Sequence, residues 1–175
     1  MGFILAQILG GIALVLVCIG YFVRTKSTFL ILQSVANFFY ASAFFVVGAY
    51  VGAGLVIISL FRCLYIYIAE KKDFKYILHF LSIFVVLYIV FTIVFWNNIF
   101  DLFPLIASLL FTLGYMVKNL QVMRYILLIP NTIYVLYNIL TTTYTSALLD
   151  FVEVVVILIA ILKFHLDEKY QSLYK

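Results

Sequence analysis

The sequence contains few of the residues that cover the surface of a soluble protein. Only 10% of its 175 residues are charged, whereas soluble domains carry about 25%. It has two prolines and two cysteines, and both Cys18 and Cys63 lie in the middle of apolar stretches, as small packing residues do. This composition excludes a soluble domain, and no spacing of cysteine, histidine or acidic residues predicts a metal or a cofactor.

Hydrophobic residues are what the chain has in abundance, at 67% of the sequence. A helix needs about 20 mainly apolar residues to cross a bilayer, because it rises about 1.5 Å per residue through about 30 Å of hydrocarbon. The sequence therefore predicts an all-α polytopic membrane protein. Seven stretches are long enough, at 4–23, 29–48, 51–69, 76–96, 102–117, 124–141 and 146–164.

Basic residues are missing from every second connection between these spans. Of the 11 lysines and arginines, all but Arg62 lie at span ends on one face or in the tail. The positive-inside rule makes that face cytoplasmic, so the pattern predicts an outer N-terminus and a cytoplasmic C-terminus. Although the net charge is +4, this scattered placement favours topology signals over a nucleic-acid surface.

The first and last three spans align without gaps at an offset of 94 positions. The matched pairs are Gly20–Tyr21 with Gly114–Tyr115, Arg24 with Lys118, Asn37 with Asn131, Tyr40 with Tyr134, Tyr50 with Tyr144, and Ala53 with Ala147. The span boundaries align as well. We therefore predict a parallel repeat about an axis along the membrane normal, with the fourth span as connector and any solute site between the two halves.

Three charged residues lie inside the predicted spans and away from their cytoplasmic ends. An isolated arginine at the depth of Arg62 costs at least about 2.5 kcal/mol, so it needs a partner or water. Asp150 and Glu153 lie three residues apart on the repeat counterpart of its span. We expect Arg62 to contact one of them across the two halves, as part of a solute or proton site or as a lock on packing.

Polar residues also recur on one face of the second and sixth spans. Asn131, Tyr134 and Asn138 share a helix face, and Asn37 and Tyr40 occupy the matching positions in the first half. Such side chains either join helices by hydrogen bonds or line a pore. Their presence in both halves favours a shared cavity.

The polar and charged residues inside the spans are suited to binding a solute and show no catalytic arrangement. No nucleophile and base, glycine-rich phosphate loop or acid and base carboxylate pair is evident in the sequence, so we predict no enzyme. Asp101, Asp150 and Glu153 are expected to surround an outer vestibule without basic residues, which would favour neutral or cationic solutes.

Several short motifs, in this order and spacing, resemble the YgjV-type bacterial inner membrane proteins. They are Leu5-Ala6-Gln7, Gly48-Ala49-Tyr50, Arg62, Asp101-Leu102-Phe103-Pro104, and Asn138 followed by Asp150. That family looks related to the PQ-loop superfamily, which includes SWEET sugar transporters, PnuC vitamin transporters and the KDEL receptor. The Pro-Gln pair that names the superfamily is absent here, as are the tryptophan-rich motifs of the vitamin transporters, so no particular substrate carries over.

The resemblance implies two three-helix bundles joined by an inversion helix, a 3+1+3 layout. It also implies that the third span of each bundle packs between the first and the second. We accordingly divide the chain into a first bundle (1–70), a connecting transmembrane helix (71–97), a second bundle (98–166) and a cytoplasmic tail (167–175).

The sequence thus predicts a small-solute transporter or facilitator in the inner membrane, whose partners are the lipid bilayer and a small polar solute. The alternative is a binding, scaffold or receptor-like protein of the same fold that does not transport. The predicted substrate-binding residues are Asn37, Tyr40, Arg62, Asn131, Tyr134, Asn138, Asp150 and Glu153.

Overall fold

A computed structural model describes residues 2–71, 77–96 and 98–173, with the side chains of these residues except 77–80, 145 and 167–173. Within these residues the chain forms seven α-helices and one short 3-10 turn, and no strand. The helices are α1 (Gly2–Phe22), α2 (Lys26–Val46), α3 (Tyr50–Lys71), α4 (Ile77–Val94), α5 (Leu102–Met116), α6 (Leu120–Leu140) and α7 (Tyr144–Leu173). Each of the seven predicted spans overlaps one of them.

Five described stretches are long and apolar enough to cross a bilayer, namely α1, α2, α3, α6, and α5 taken together with the 3-10 turn before it. The described apolar part of α4, Leu81–Val94, is shorter. Large apolar side chains such as Ile93 and Leu162 point away from the protein, as lipid-facing residues do. The chain is therefore a multi-pass membrane protein, and the crossings of α4 and α7 stay predictions.

The turns between helices use the same devices at matching positions of the two halves. Thr25 caps α2 by accepting a hydrogen bond from the Thr28 amide, and Asn119 caps α6 by accepting from Gln121. Among the described residues only Gly48 and Thr142 have positive φ, at 75° and 58°, and each follows the end of a helix. With these caps and turns the chain reverses within three residues at the α1–α2, α2–α3, α5–α6 and α6–α7 connections.

Helix contacts run in a closed circuit. In order around the ring, α1 packs on α2, α2 on α3, α3 on α5, α5 on α6, α6 on α7, and α7 on α1. The remaining helix, α4, packs outside this ring against α3 and α5. Its Phe91 lies so close to Gly54 that an added Cβ would be 2.5 Å from the ring, so α4 is fitted tightly to α3.

The expected packing order within each bundle is wrong. The resemblance implied that α3 would lie between α1 and α2, and α7 between α5 and α6. Instead α2 packs along both α1 and α3, and α6 along both α5 and α7. The short connections explain this order, because helices joined by a few residues pack as antiparallel neighbours.

Candidate functional site

The ring of six helices encloses a cavity of about 620 Å³. Each ring helix contributes at least one lining residue, and none of the described α4 residues does. All eight residues predicted as a substrate site line this cavity: Asn37, Tyr40, Arg62, Asn131, Tyr134, Asn138, Asp150 and Glu153. The structure therefore brings the whole predicted set together.

The cavity opens at one end of the helix ring and extends along the ring toward the other end. At one end its lining reaches Ala49 and Thr143, in the α2–α3 and α6–α7 connections. We call this side the open face. Toward the other end its lining includes Val17, Gln33 and Tyr115, and Tyr115 is the last residue but one of α5. The opposite side, which carries the α1–α2 and α5–α6 connections, we call the closed face.

A cluster of buried side chains, which we call the plug, separates the cavity from the closed face. It consists of Tyr21, Phe29, Leu30, Tyr115, Met123 and Leu127, each no more than 1% exposed. Phe29 lies between two tyrosines, with ring centroids 5.6 Å from Tyr21 and 5.9 Å from Tyr115. The three rings come from α1, α2 and α5, so the plug joins helices from both halves of the chain.

The two acids of α7 lie in the cavity and are held by α2 and α6. The Tyr40 hydroxyl donates to Glu153 Oε1 at 3.2 Å, which links α2 to α7. Asn138 Nδ2 donates to Asp150 Oδ2 at 2.5 Å, and Thr143 Oγ1 donates to Asn138 Oδ1 at 2.7 Å. Each carboxylate is thus oriented by a neutral donor, and neither is neutralised by a cation among the described residues.

The expected ion pair between Arg62 and an acid of α7 is wrong. Arg62 is 3% exposed, and its Nη1 donates to the Ser108 carbonyl and to Thr112 Oγ1 on α5, both at 2.9 Å. Its guanidinium carbon lies 5.4 Å from the ring centroid of Tyr88 and 5.1 Å from that of Tyr115. Neutral carbonyl, hydroxyl and aromatic groups therefore surround this charge, and they join α3 to α5 and α4.

The asparagines serve packing as well as the cavity lining. Asn131 Nδ2 donates to the Leu127 carbonyl at 2.7 Å and to the Tyr21 hydroxyl at 3.4 Å, which ties α6 to α1. Asn37 Nδ2 lies 3.9 Å from Cys63 Sγ, between α2 and α3. The sequence allowed two roles for these asparagines, joining helices and lining a cavity. Each has both roles, since it bonds to a neighbouring helix and also lines the cavity.

Other polar residues of the lining were missed in the sequence. They are Gln33, Ser59, Ser108, Tyr115, Tyr137, Thr141, Thr143 and Ser146. Gln33 precedes Asn37 by four residues, Ser59 precedes Arg62 by three, and Ser146 precedes Asp150 by four. Extending each predicted site by one helical turn toward the start of its helix would have found these three.

Asp101 does not belong to this site. The sequence placed it in the same vestibule as Asp150 and Glu153, but it is absent from the cavity lining among the described residues. Its carboxylate accepts from the Asn98 amide at 3.0 Å, in a capping box that starts the turn before α5. Its role there is to fix the backbone.

A cavity lined by both polar and apolar side chains, within a ring of apolar helices, defines a helical membrane protein with an internal compartment. A sequence model of a bacterial inner membrane protein family, Imp-YgjV, matches residues 4–168. The chain belongs to this family. No curated protein and no solved structure matches the sequence.

Proposed function

We propose that this protein is a transporter or facilitator for a small polar solute, which binds in the cavity within the helix ring. One observation carries the proposal. Polar side chains from separate parts of the chain, Asn37 and Tyr40 on α2 and Asp150 and Glu153 on α7 among them, converge on one cavity of about 620 Å³ that is open toward one face. Hydrophilic groups inside a membrane are costly, and they usually mark a solute or ion pathway.

The proposal includes a duplicated architecture of two triplets, α1–α2–α3 and α5–α6–α7, joined by α4. Under a two-fold axis the contact of α1 with α7 maps onto that of α5 with α3, and both contacts occur. The positive-φ residues Gly48 and Thr142 are also separated by the repeat offset of 94 positions. These features support a parallel repeat, a 3+1+3 layout and a relation to the PQ-loop superfamily. The cavity would then lie at the seam between triplets.

We further propose a neutral or cationic substrate. The positive charge of Arg62 is covered by two tyrosine rings and engaged with α5. Asp150 and Glu153 are only partly buried, and they line the cavity closer to its open face. A cavity whose accessible charges are negative attracts cations and repels anions.

The experiment is uptake into proteoliposomes with a matched set of small cationic, neutral and anionic solutes. We expect uptake of a cation or a neutral solute above that of empty liposomes. If a cation is taken up, Glu153→Gln should lower its uptake by tenfold or more. Asp101→Asn removes an acid near the same face but outside the cavity, so it should leave uptake unchanged. A preference of the wild type for anions would contradict the proposed substrate class.

One observation favours a second function, a receptor-like protein that binds without transport. The plug fills the ring between the cavity and the closed face, so a solute could bind in the cavity without crossing the membrane. Saturable binding of a solute to the purified protein, with no uptake of that solute by proteoliposomes, would favour this function.

We place the open face outside the cell. The connections of the closed face carry Arg24 and Lys118, whereas 47–49 and 141–143 at the open face carry no charge. By the positive-inside rule the N-terminus is then outside and the C-terminus cytoplasmic. The conformation described here would then be the outward-open state of the transport cycle.

A further inference from the structure

Arg124 lies in an unexpected environment. In the sequence it stands near the end of a span, where basic residues usually face water and phospholipid headgroups. In the structure α6 begins four residues earlier, and Arg124 is 2% exposed. It is among the largest fully buried side chains described.

Two backbone carbonyls at the end of α1 accept hydrogen bonds from it. Arg124 Nε donates to the Tyr21 carbonyl at 2.9 Å, and its Nη2 donates to the Val23 carbonyl at 2.6 Å. These carbonyls belong to the end of α1, where the last residues of a helix leave acceptors unused and carry partial negative charge. Arg124 therefore caps a helix of the other triplet.

The same guanidinium also contacts α7. Its central carbon lies 4.1 Å from the ring centroid of Phe164, and its Nη1 donates to Gln121 Oε1 at 3.0 Å. Gln121 in turn donates to the Ile161 carbonyl at 2.9 Å. One buried charge thus fastens α1, α6 and α7 together at the closed face, at the seam where α1 meets α7.

The other seam is held in a different way. At the α3–α5 seam, α4 packs against both helices. Its Phe91 lies against Gly54 of α3, and its Tyr88 hydroxyl is 2.7 Å from Ser59 Oγ of α3. Nothing described covers the α1–α7 seam in the same way. If the triplets move apart, the α1–α7 seam is therefore the one that can open. Arg124 is a buried charge that spans it, and at the surface Lys163 of α7 lies over the Phe22 ring of α1.

We propose that Arg124 is a latch that holds the cavity shut toward the closed face. Opening that face requires the guanidinium to leave the Tyr21 and Val23 carbonyls, after which the aromatic plug beneath them can separate. This inference rests on the proposed transport function, since a transporter must expose its site to both faces in turn. It concerns a structural transition, which is measurable without a substrate.

The test is the accessibility of the plug from the closed face. Leu30→Cys places a reporter in the plug, on α2, which provides none of the Arg124 contacts given above. The background is made cysteine-free by Cys18→Ala and Cys63→Ala. A membrane-impermeant maleimide is added to inverted membrane vesicles, in which the cytoplasmic face is outermost. We expect Arg124→Gln to raise the labelling rate about tenfold or more over the parent.

Lys118→Gln is the matched control, because it removes the same charge from an exposed position at the same face, in the α5–α6 connection and in neither α1 nor α7. It should change the rate less than twofold. A folded Arg124→Gln protein that labels at the parental rate would overturn the latch, and so would an equal rise in Lys118→Gln. Folding is checked by a single symmetric peak in size-exclusion chromatography.

Phe164→Leu keeps the arginine and removes only its aromatic partner, so it provides the test if Arg124→Gln does not fold. A rise of threefold or more is expected, and no rise would overturn the proposal. The latch and the transport function fail separately. If Arg124→Gln is labelled faster but the wild type takes up no solute, the latch holds and the transport function is refuted. If the wild type takes up a solute but Arg124→Gln is labelled at the parental rate, the transport function holds and the latch is refuted.

Discussion

The environment of Arg62 allows a quantitative prediction about what stabilises the α3–α5 seam. Its two hydrogen bonds to Ser108 and Thr112 are made by a charged donor, for which about 1.5–3 kcal/mol each is usual. Two aromatic faces add about 1–2 kcal/mol. Replacing the charge by methionine also removes at least about 2.5 kcal/mol of burial cost. The net expectation for Arg62→Met is a loss of about 2–4 kcal/mol in the free energy of unfolding.

A double-mutant cycle separates this account from an ion pair with Glu153. Thr112→Val removes one of the two acceptors and preserves the shape of the side chain. We expect the coupling energy of Arg62→Met with Thr112→Val to be about 1–2 kcal/mol. The coupling of Arg62→Met with Glu153→Gln should be smaller, because Arg62 makes no ion pair with Glu153.

Both cycles are measured by titration of SDS into detergent micelles, with unfolding followed by far-ultraviolet circular dichroism. The comparison of the two coupling energies decides the matter, since it does not depend on the absolute cost of each variant. A larger coupling with Glu153 than with Thr112 would refute the assignment of partners to Arg62.

Three further predictions concern packing, turns and orientation. Gly54→Ala should destabilise the protein by about 1–3 kcal/mol, because its Cβ would overlap Phe91. Gly10→Ala is the control, since Gly10 has open space around it, and this variant should be neutral or slightly stabilising. Thermal unfolding of both variants measures the difference. Gly48→Ala should cost about 1–2 kcal/mol in the same assay, since its φ of 75° is unfavourable for alanine, and an unchanged midpoint would count against that turn. Green fluorescent protein fused after the C-terminus should fluoresce, and alkaline phosphatase fused there should be inactive; the opposite pair of signals would reverse the proposed orientation.

The positions of the candidate site residues could be predicted because membrane helices follow simple rules. Depth follows from the helical rise, and the shared face of Asn131, Tyr134 and Asn138 follows from helical periodicity. Burying these groups away from lipid then brings them to the inside of the ring. Because Asn37 and Tyr40 recur as Asn131 and Tyr134 in the second half, the same rules predicted a cavity that both halves line.

The partners of the two buried arginines could not be predicted in this way. Arg62 and Arg124 bind main-chain carbonyls, and every residue has one, so the side-chain sequence gives no signal for them. For Arg124 the positive-inside rule also misled, because it treats each basic residue near a span end as exposed. The packing order of the triplets was expected from a resemblance, and the short Gly48 and Thr142 turns gave a different order.

The central claim is that the polar face of α6 lines a water-filled cavity while its opposite face meets lipid. Tyr134 lines the cavity, and Leu136, two residues nearer the open face, is 49% exposed on the outside of the ring. In the cysteine-free background, a membrane-impermeant maleimide added from the open face should label Tyr134→Cys faster than Leu136→Cys, even though Tyr134 lies deeper. Faster labelling of Leu136→Cys, or equal rates at the two positions, would contradict the account.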